Sequence, residues 1–274
     1  MAELTAENLS LRYDGDNIIH DVTLSISPNR ITALVGPNGS GKSTLLRGLA
    51  RLLPPSSGRV TIDGQNIHQL NTRTVAKRVS ILAQSNDAPD GLTVRELVGF
   101  GRFPYRGWLG QADPDDHAAI ERAMEIVGIK DLAQRPLGEL SGGQRQLAWI
   151  AMSVAQDSEI MLLDEPTTFL DLSHQLEVLH LLETLQCDHG RTIVMVLHDI
   201  NQAARFAHHI VALRDGRIRF QGSPATILTP EMLEDVFSVV ANVMSYTEQP
   251  TDRSDVLTSV PYCVPLHPVG VIEA

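Results

Sequence analysis

The order of textures along the chain predicts an α/β fold: a mostly parallel sheet with a helical insertion. Three observations carry the expectation. Short apolar segments separated by turns fill residues 4–35. Continuous apolar runs at 31–35, 160–163 and 193–197 read as buried strands joined by helices. Between about 91 and 155 the texture is helical throughout.

Taken in order, Leu9 and Leu11 precede a turn at Asp14-Gly15, and Val22, Leu24 and Ile26 precede Pro28-Asn29, as short edge strands do. Ile31 to Val35 forms a strand that runs directly into a Gly-rich loop. Leu45, Leu46, Leu49, Leu52 and Leu53 then recur at helical spacing until Pro54-Pro55 stops the pattern. Residues 58–64 predict a strand and turn, and Val79 to Leu82 another strand. Thr93 is placed to cap a helix carrying Val94, Leu97 and Val98. Pro114, Asp115 and Asp116 start the next, with Ile120, Ala123, Met124 and Val127 inward and Gly128 at its end. Strand texture returns at 160–163, 193–197 and 210–213, with a helix at 173–186. An Asp215-Gly216 turn pairs 210–213 with Ile218–Phe220. The tail after about 240 is rich in Pro, Thr, Ser and Val and receives no assignment.

Composition narrows the function classes. The 274 residues are 43% hydrophobic and 20% charged, enough to bury a substantial core. A net charge of −11 repels nucleic acid and anionic lipid headgroups, so any membrane role is expected to run through a protein partner. Cys187 and Cys263 are far apart and lack metal-ligand spacing, which suits a reducing cytoplasm. The N-terminus has neither the basic start nor the apolar stretch of a signal peptide, and the apolar runs are too short to span a bilayer.

The strongest chemical signal is Gly36-Pro-Asn-Gly-Ser-Gly-Lys-Ser43, a G-x-x-x-x-G-K-S loop between a strand and a helix. Glycines let successive backbone N–H groups curl around an anion, and the following helix adds the positive end of its dipole. Lys42 can reach terminal phosphates and the Ser43 hydroxyl can ligate Mg²⁺. The second signal is Ile160-Met-Leu-Leu-Asp164-Glu165, an apolar strand ending in two acids. Asp164 can hold Mg²⁺ through water, and Glu165 can polarise an attacking water. Alone, this motif could equally be a strand that ends in a polar turn. Gln84 and His198 each follow a buried strand, where ligands of open α/β sheets gather, although each alone also reads as an ordinary structural group. The third signal is Leu140-Ser141-Gly142-Gly143-Gln144. Ser141 can cap a helix, and the two glycines expose N–H groups at its positive end, a second anion site in one chain. Capping would explain the serine but not the glycines, which cost helix stability.

Together these residues resemble the ATP-binding cassette (ABC) ATPases over about residues 4–240. Gly36–Ser43 looks like the Walker A loop, Gln84 the Q-loop, Leu140–Gln144 the LSGGQ signature, Ile160–Glu165 Walker B, Leu170-Asp171 the D-loop and His198 the H-loop. The resemblance implies a phosphate-loop core with a mostly parallel sheet, an N-terminal antiparallel β subdomain, an inserted α-helical subdomain at about 91–155 and an extension at 241–274. It implies that ATP is held by Tyr13, stacked on adenine, and by Gly36, Pro37, Asn38, Gly39, Ser40, Gly41, Lys42, Ser43 and Thr44. Ser141, Gly142, Gly143 and Gln144 would serve the ATP of a second copy in a head-to-tail dimer. Ser43, Gln84 and Asp164 are the expected Mg²⁺ site, and Glu165 and His198 the expected catalytic pair.

Within the family the chain most resembles the ATPase subunits of importers of ferric siderophores, haem and cobalamin. The matching pieces are Gly101-Arg-Phe-Pro-Tyr-Arg, Gln144-Arg-Gln-Leu-Ala-Trp-Ile-Ala-Met, Glu165-Pro-Thr-Thr-Phe-Leu-Asp171 and His198-Asp-Ile-Asn-Gln-Ala-Ala-Arg205. That implies a separate membrane permease and, through it, a substrate-binding protein, with the chain at the cytoplasmic face of the cell membrane. Iron-chelate import is the leading expectation, with haem or cobalamin import and a soluble non-transport ATPase as alternatives. Residues Gly99 to Gly110, with Phe103, Tyr105 and Trp108, are either part of the permease dock or packing within the helical part. Asp115-Asp116-His117 and His208-His209 are expected to be solvated surface rather than metal ligands.

Overall fold

The computed structural model describes residues 2–84, 89, 91–106, 114–248 and 258–270. Two sheets account for the first ten strands. Strands β1 (Leu4–Leu11), β2 (Ile19–Ile26), β4 (Pro55–Ile62) and β5 (Gln65–Asn66) make an antiparallel sheet of order β2-β1-β4-β5. The second sheet has six strands. It contains β3 (Ile31–Val35), β6 (Val79–Leu82), β7 (Ile160–Leu163), β8 (Thr192–Val196), β9 (His209–Arg214) and β10 (Arg217–Gly222), in the order β10-β9-β3-β8-β7-β6. All neighbours in it are parallel except β10, which returns from β9 through Asp215 and Gly216, both at positive φ.

The helices connect and cover these strands. In chain order they are α1 (Lys42–Leu49), α2 (Thr72–Ala76), α3 (Val94–Phe100), α4 (Pro114–Val127), α5 (Gly142–Ala155), α6 (Leu172–Cys187), α7 (Ile200–Phe206), α8 (Pro224–Ile227) and α9 (Pro230–Phe237). The six-stranded sheet divides the apolar core. On β3, Ile31, Ala33 and Val35 face the side covered by α3–α7, while Leu34 faces α1 and the antiparallel sheet. Met161 and Leu163 oppose Ile160 and Leu162 in the same way, as do Ile193 and Met195 against Val194 and Val196. Strands buried on both faces are apolar almost throughout, which is why they read as near-continuous runs, with buried Thr32 on β3 and Thr192 on β8 as the polar positions.

Local signals place the helix ends. Thr93 accepts from the Glu96 N–H while Glu96 accepts from the Thr93 N–H, a reciprocal capping box. Gly128, at φ 77°, ends α4. The α1 helix stops at Leu49, earlier than the leucine spacing up to Pro54 predicts. Arg51 adopts φ 63°, its N–H bonds to the Gly48 carbonyl, and the Leu52 N–H bonds to the Arg47 carbonyl. This Schellman arrangement closes the helix before the prolines and leaves Leu52 exposed.

The unassigned tail is a hairpin of β11 (Val239–Glu248) and β12 (Thr258–Pro268). Ala241 and Cys263 are buried in the larger core cluster, so the hairpin shares the core of the molecule. The solvated-surface expectation is corrected at Asp116. Its carboxylate is buried and paired at 2.9 Å with the buried Arg102, whose guanidinium also donates to the Ala155 carbonyl. An acid in the first turn of a helix can be buried when a cation meets it there. Asp115, His117 and His208 are exposed, as expected, while His209, at the start of β9, is half-buried and its pKa is lowered by that burial.

Candidate functional site

Parallel register gathers the chemistry at one edge. Leu34 stands beside Val196, Met195 beside Leu163, and Leu163 beside Leu82. The residues that follow these strands therefore emerge together: the Gly36 loop after β3, Asp164-Glu165 after β7, Gln84 after β6 and His198 after β8. In parallel sheets this carboxyl edge is where ligands bind.

The loop is glycine-rich for a steric reason. A Cβ on Gly36, at φ 146°, would lie 2.1 Å from the Leu213 carbonyl oxygen, which is backbone and has little room to yield. Gly41, at φ 97°, precedes α1 and would press Ile19 at 2.6 Å. The Lys42 ammonium is buried and donates to the Gly36 and Pro37 carbonyls, each at 2.9 Å. Burial lowers its pKa, and the carboxylates of Glu165 and Asp164 oppose that effect. Ser43 donates to Asp164 Oδ1 at 2.8 Å, joining loop to strand end. Burial raises the Asp164 pKa, the Ser43 hydrogen bond lowers it, and neighbouring Glu165 raises it again. A hydroxyl and a carboxylate set side by side are hard oxygen donors, a pair that suits Mg²⁺.

Glu165 sits on left-handed backbone, at φ 55°. Its side chain is 9% exposed and both oxygens are held. Oε1 lies 2.7 Å from His198 Nε2. Oε2 accepts from Gln84 Nε2 at 2.7 Å and from Thr168 Oγ1 at 3.0 Å. A strained backbone held by three partners fixes this carboxylate in one orientation. Gln84 thus stands against the second acid rather than the Ser43–Asp164 pair. The strand order allows this, because β6 neighbours β7, whose end carries Glu165, and lies three strands from β3, whose loop carries Ser43.

The other predicted residues lie around this centre or apart from it. Tyr13 is 47% exposed, and its hydroxyl accepts from Arg47 on α1, one turn past Ser43. Ser141 and Gln144 form a capping box at the start of α5, in the helical layer. Gly143 is required there, since a Cβ would meet the His174 ring at 2.2 Å. His174 Nδ1 is 2.8 Å from the Asp171 carboxylate, so signature and D-loop turns touch. Phe100 and Phe103 stack at 5.2 Å with both rings partly exposed, while Tyr105 lies between Lys77 and Arg102. Trp108 and residues 107–110 lie outside the described residues.

Sequence reasoning missed Thr168 and Gln146. Thr168 follows Glu165 by three residues, a spacing at which a hydroxyl returns to the carboxylate, so the motif contained that signal. Gln146 on α5 donates to the Pro166 carbonyl at 2.9 Å, tying the signature helix to the turn after Glu165, and no local spacing announces it.

A glycine phosphate loop, a serine–aspartate pair and a clamped glutamate at the carboxyl edge of a parallel sheet define a nucleoside triphosphate hydrolase. The ABC transporter family profile matches residues 19–168, and the chain belongs to that family as an ATP-binding, ATP-hydrolysing subunit. It is 48% identical over 265 residues to the "Probable siderophore transport system ATP-binding protein YusV" of Bacillus subtilis, covering 97% of this chain and 93% of that one. It is 45% identical over 258 residues to the Iron(3+)-hydroxamate import ATP-binding protein FhuC of the same organism, covering 94% and 95%. Among solved structures it resembles the dimeric post-hydrolysis state of the ATP-binding cassette MJ0796 bound to ADP and Pi. There the TM-score is 0.71 at 28% identity, covering 81% of this chain and 98% of that one.

Proposed function

We propose that this chain hydrolyses ATP to drive import of an iron chelate, a ferric siderophore, through a separate membrane permease. The observation that carries the reading is the Glu165 carboxylate, clamped by His198, Gln84 and Thr168 beside the Ser43–Asp164 pair. The names of the similar siderophore and iron-hydroxamate subunits support the substrate class.

In this reading Gly36 to Thr44 cradle the phosphates, Lys42 leaves the loop carbonyls for the terminal phosphates, and the exposed face of Tyr13 stacks on adenine. Ser43 and Asp164 would hold Mg²⁺, whose chemistry when bound is to neutralise phosphate charge, while Gln84 holds Glu165. Glu165 orients and deprotonates the attacking water, and His198 holds Glu165 and contacts the γ-phosphate. Ser141 to Gln144 lie in a different layer from the phosphate loop, which supports their serving the ATP of a second copy in a head-to-tail dimer. The fully turned-out Phe169, 96% exposed, adjoins the D-loop and supports the same face.

Among the described residues no helix is long and apolar enough to cross a membrane. The names of the similar transport and import ATP-binding proteins support attachment at the cytoplasmic face through the permease, with a substrate-binding protein beyond it. The partly exposed Phe100–Phe103 stack supports a permease dock on the helical part. Residues 4–240 form the cassette, with 91–155 as its helical subdomain and 241–274 as an extension. The test is uptake of radiolabelled ferric siderophore by cells carrying this chain with its co-purifying permease. Uptake is expected to vanish with Lys42→Ala. Uptake that persists in that variant, or labelled cobalamin transported in place of iron, overturns the reading.

A further inference from the structure

The C-terminal hairpin packs its apolar residues Ala241 and Cys263 into the main core, and Asn201 on α7 adds a polar fastening to it. The Asn201 amide makes two hydrogen bonds to the backbone of Cys263: its Oδ1 accepts from the Cys263 N–H at 2.8 Å, and its Nδ2 donates to the Cys263 carbonyl at 3.2 Å. This is the two-bond exchange that a neighbouring strand would make, supplied to β12 by a helix side chain. Cys263 is itself buried in the main core, so the contact is fixed.

Asn201 occupies the first turn of α7, three residues after His198. Asp199 caps that turn, accepting from the N–H groups of Asn201 at 2.8 Å and Gln202 at 3.2 Å. A rotation of the turn therefore carries the His198 ring with it. The next residue extends the connection. Gln202 Nε2 donates to Gln175 Oε1 at 2.8 Å, and Gln175 Nε2 donates to the Leu170 carbonyl at 3.0 Å, immediately before Asp171 of the D-loop. The amide orientations agree along this path, each NH₂ meeting an oxygen.

We propose that Asn201 is a positioning residue for hydrolysis. It fastens the β11–β12 hairpin to α7 and so holds His198 against Glu165, with Gln202 and Gln175 carrying the same constraint to the Leu170–Asp171 turn. The hairpin is then a brace for the catalytic edge, not an inert extension. The inference rests on the role assigned above to His198. It requires that loosening the hairpin slow turnover while ATP binding is kept, because the polar contacts of the phosphate loop, Lys42 to the Gly36 and Pro37 carbonyls and Ser43 to Asp164, involve no residue of α7.

The test is a double-mutant cycle in the full-length chain: wild type, Asn201→Ala, His198→Ala and the double variant, each assayed for single-turnover phosphate release and ATP affinity. Asn201→Ala is expected to slow release by about tenfold or more, as misplacement of a catalytic group does. Its ATP affinity should stay at the wild-type value. The double variant should be no slower than His198→Ala within about twofold, since neighbours acting through one group are not additive. Amide hydrogen exchange at residues 170–175 should rise in Asn201→Ala. If Asn201→Ala does not fold, Asn201→Asp, which keeps the acceptor for the Cys263 N–H, enters the same cycle. Wild-type release in the folded Asn201 variant, or losses that multiply in the double variant, overturns the proposal. If His198→Ala itself turns over normally, the assigned role of His198 fails instead, and the two failures are distinct.

Discussion

Replacing Glu165 by Gln removes a base while disturbing little else. The carboxylate is held by His198 and Gln84 at 2.7 Å each and by Thr168 at 3.0 Å. A glutamine has the same shape. Its oxygen, placed at Oε2, keeps the Gln84 and Thr168 bonds. Its NH₂, placed at Oε1, can donate to His198 Nε2 once the imidazole carries its proton on Nδ1. All three partners therefore survive, and the fold is expected to keep its stability within about 1 kcal/mol. What is lost is proton acceptance from water, which general-base catalysis values at about 10²–10⁴ in rate. That corresponds to about 3–5 kcal/mol in the barrier. The assay pairs single-turnover phosphate release with titration of ATP affinity. Release should fall by at least about a hundredfold with affinity unchanged. The same variant, holding ATP without cleaving it, should also dimerise by light scattering. Release within about tenfold of wild type would refute the assignment of Glu165 as the base.

Asp164→Asn should raise thermal stability at neutral pH while abolishing Mg²⁺-dependent hydrolysis. Burial lifts the folded-state pKa of Asp164 above its unfolded value, so its ionisation costs stability. That cost is absent below the unfolded pKa, grows as pH rises, and is complete above the folded pKa; melts at pH 4 and pH 8 should differ accordingly, and an unchanged gap between variant and wild type would count against it. Arg102→Ala removes the 2.9 Å partner of Asp116 and leaves Arg106 at 3.9 Å, so urea unfolding should show a loss of about 1.5–3 kcal/mol. A loss under about 1 kcal/mol would mean the pair is dispensable. Gly143→Ala places a methyl 2.2 Å from the His174 ring, so differential scanning calorimetry should find destabilisation of about 1–3 kcal/mol, relieved by His174→Ala in the same chain.

Much of the site was legible because its chemistry is local. The phosphate loop needs glycines at Gly36 and Gly41, where a Cβ would strike backbone or a buried side chain, so the requirement is written into consecutive residues. The near-continuous apolar runs of β3, β7 and β8 announced strands buried on both faces. The tail was illegible for the opposite reason. The β11–β12 hairpin contains Pro261, Pro265 and Pro268, which weaken a strand signal, and its partner on the inner side is a helix side chain. Arg102 and Asp116 could not be read as a pair either, because they are 14 residues apart and meet only when α3 and α4 pack.

By itself the sequence determined the fold class, the phosphate loop and the two acids at the end of β7, because each is fixed by steric or chemical demands within a few residues. The tertiary structure decided how those acids are held. Gln84 and His198 come from separate strand ends, and only the parallel register of β6, β7 and β8 brings them to Glu165. Hydrogen bonds across such distances depend on packing, and packing leaves no periodicity in the chain to read.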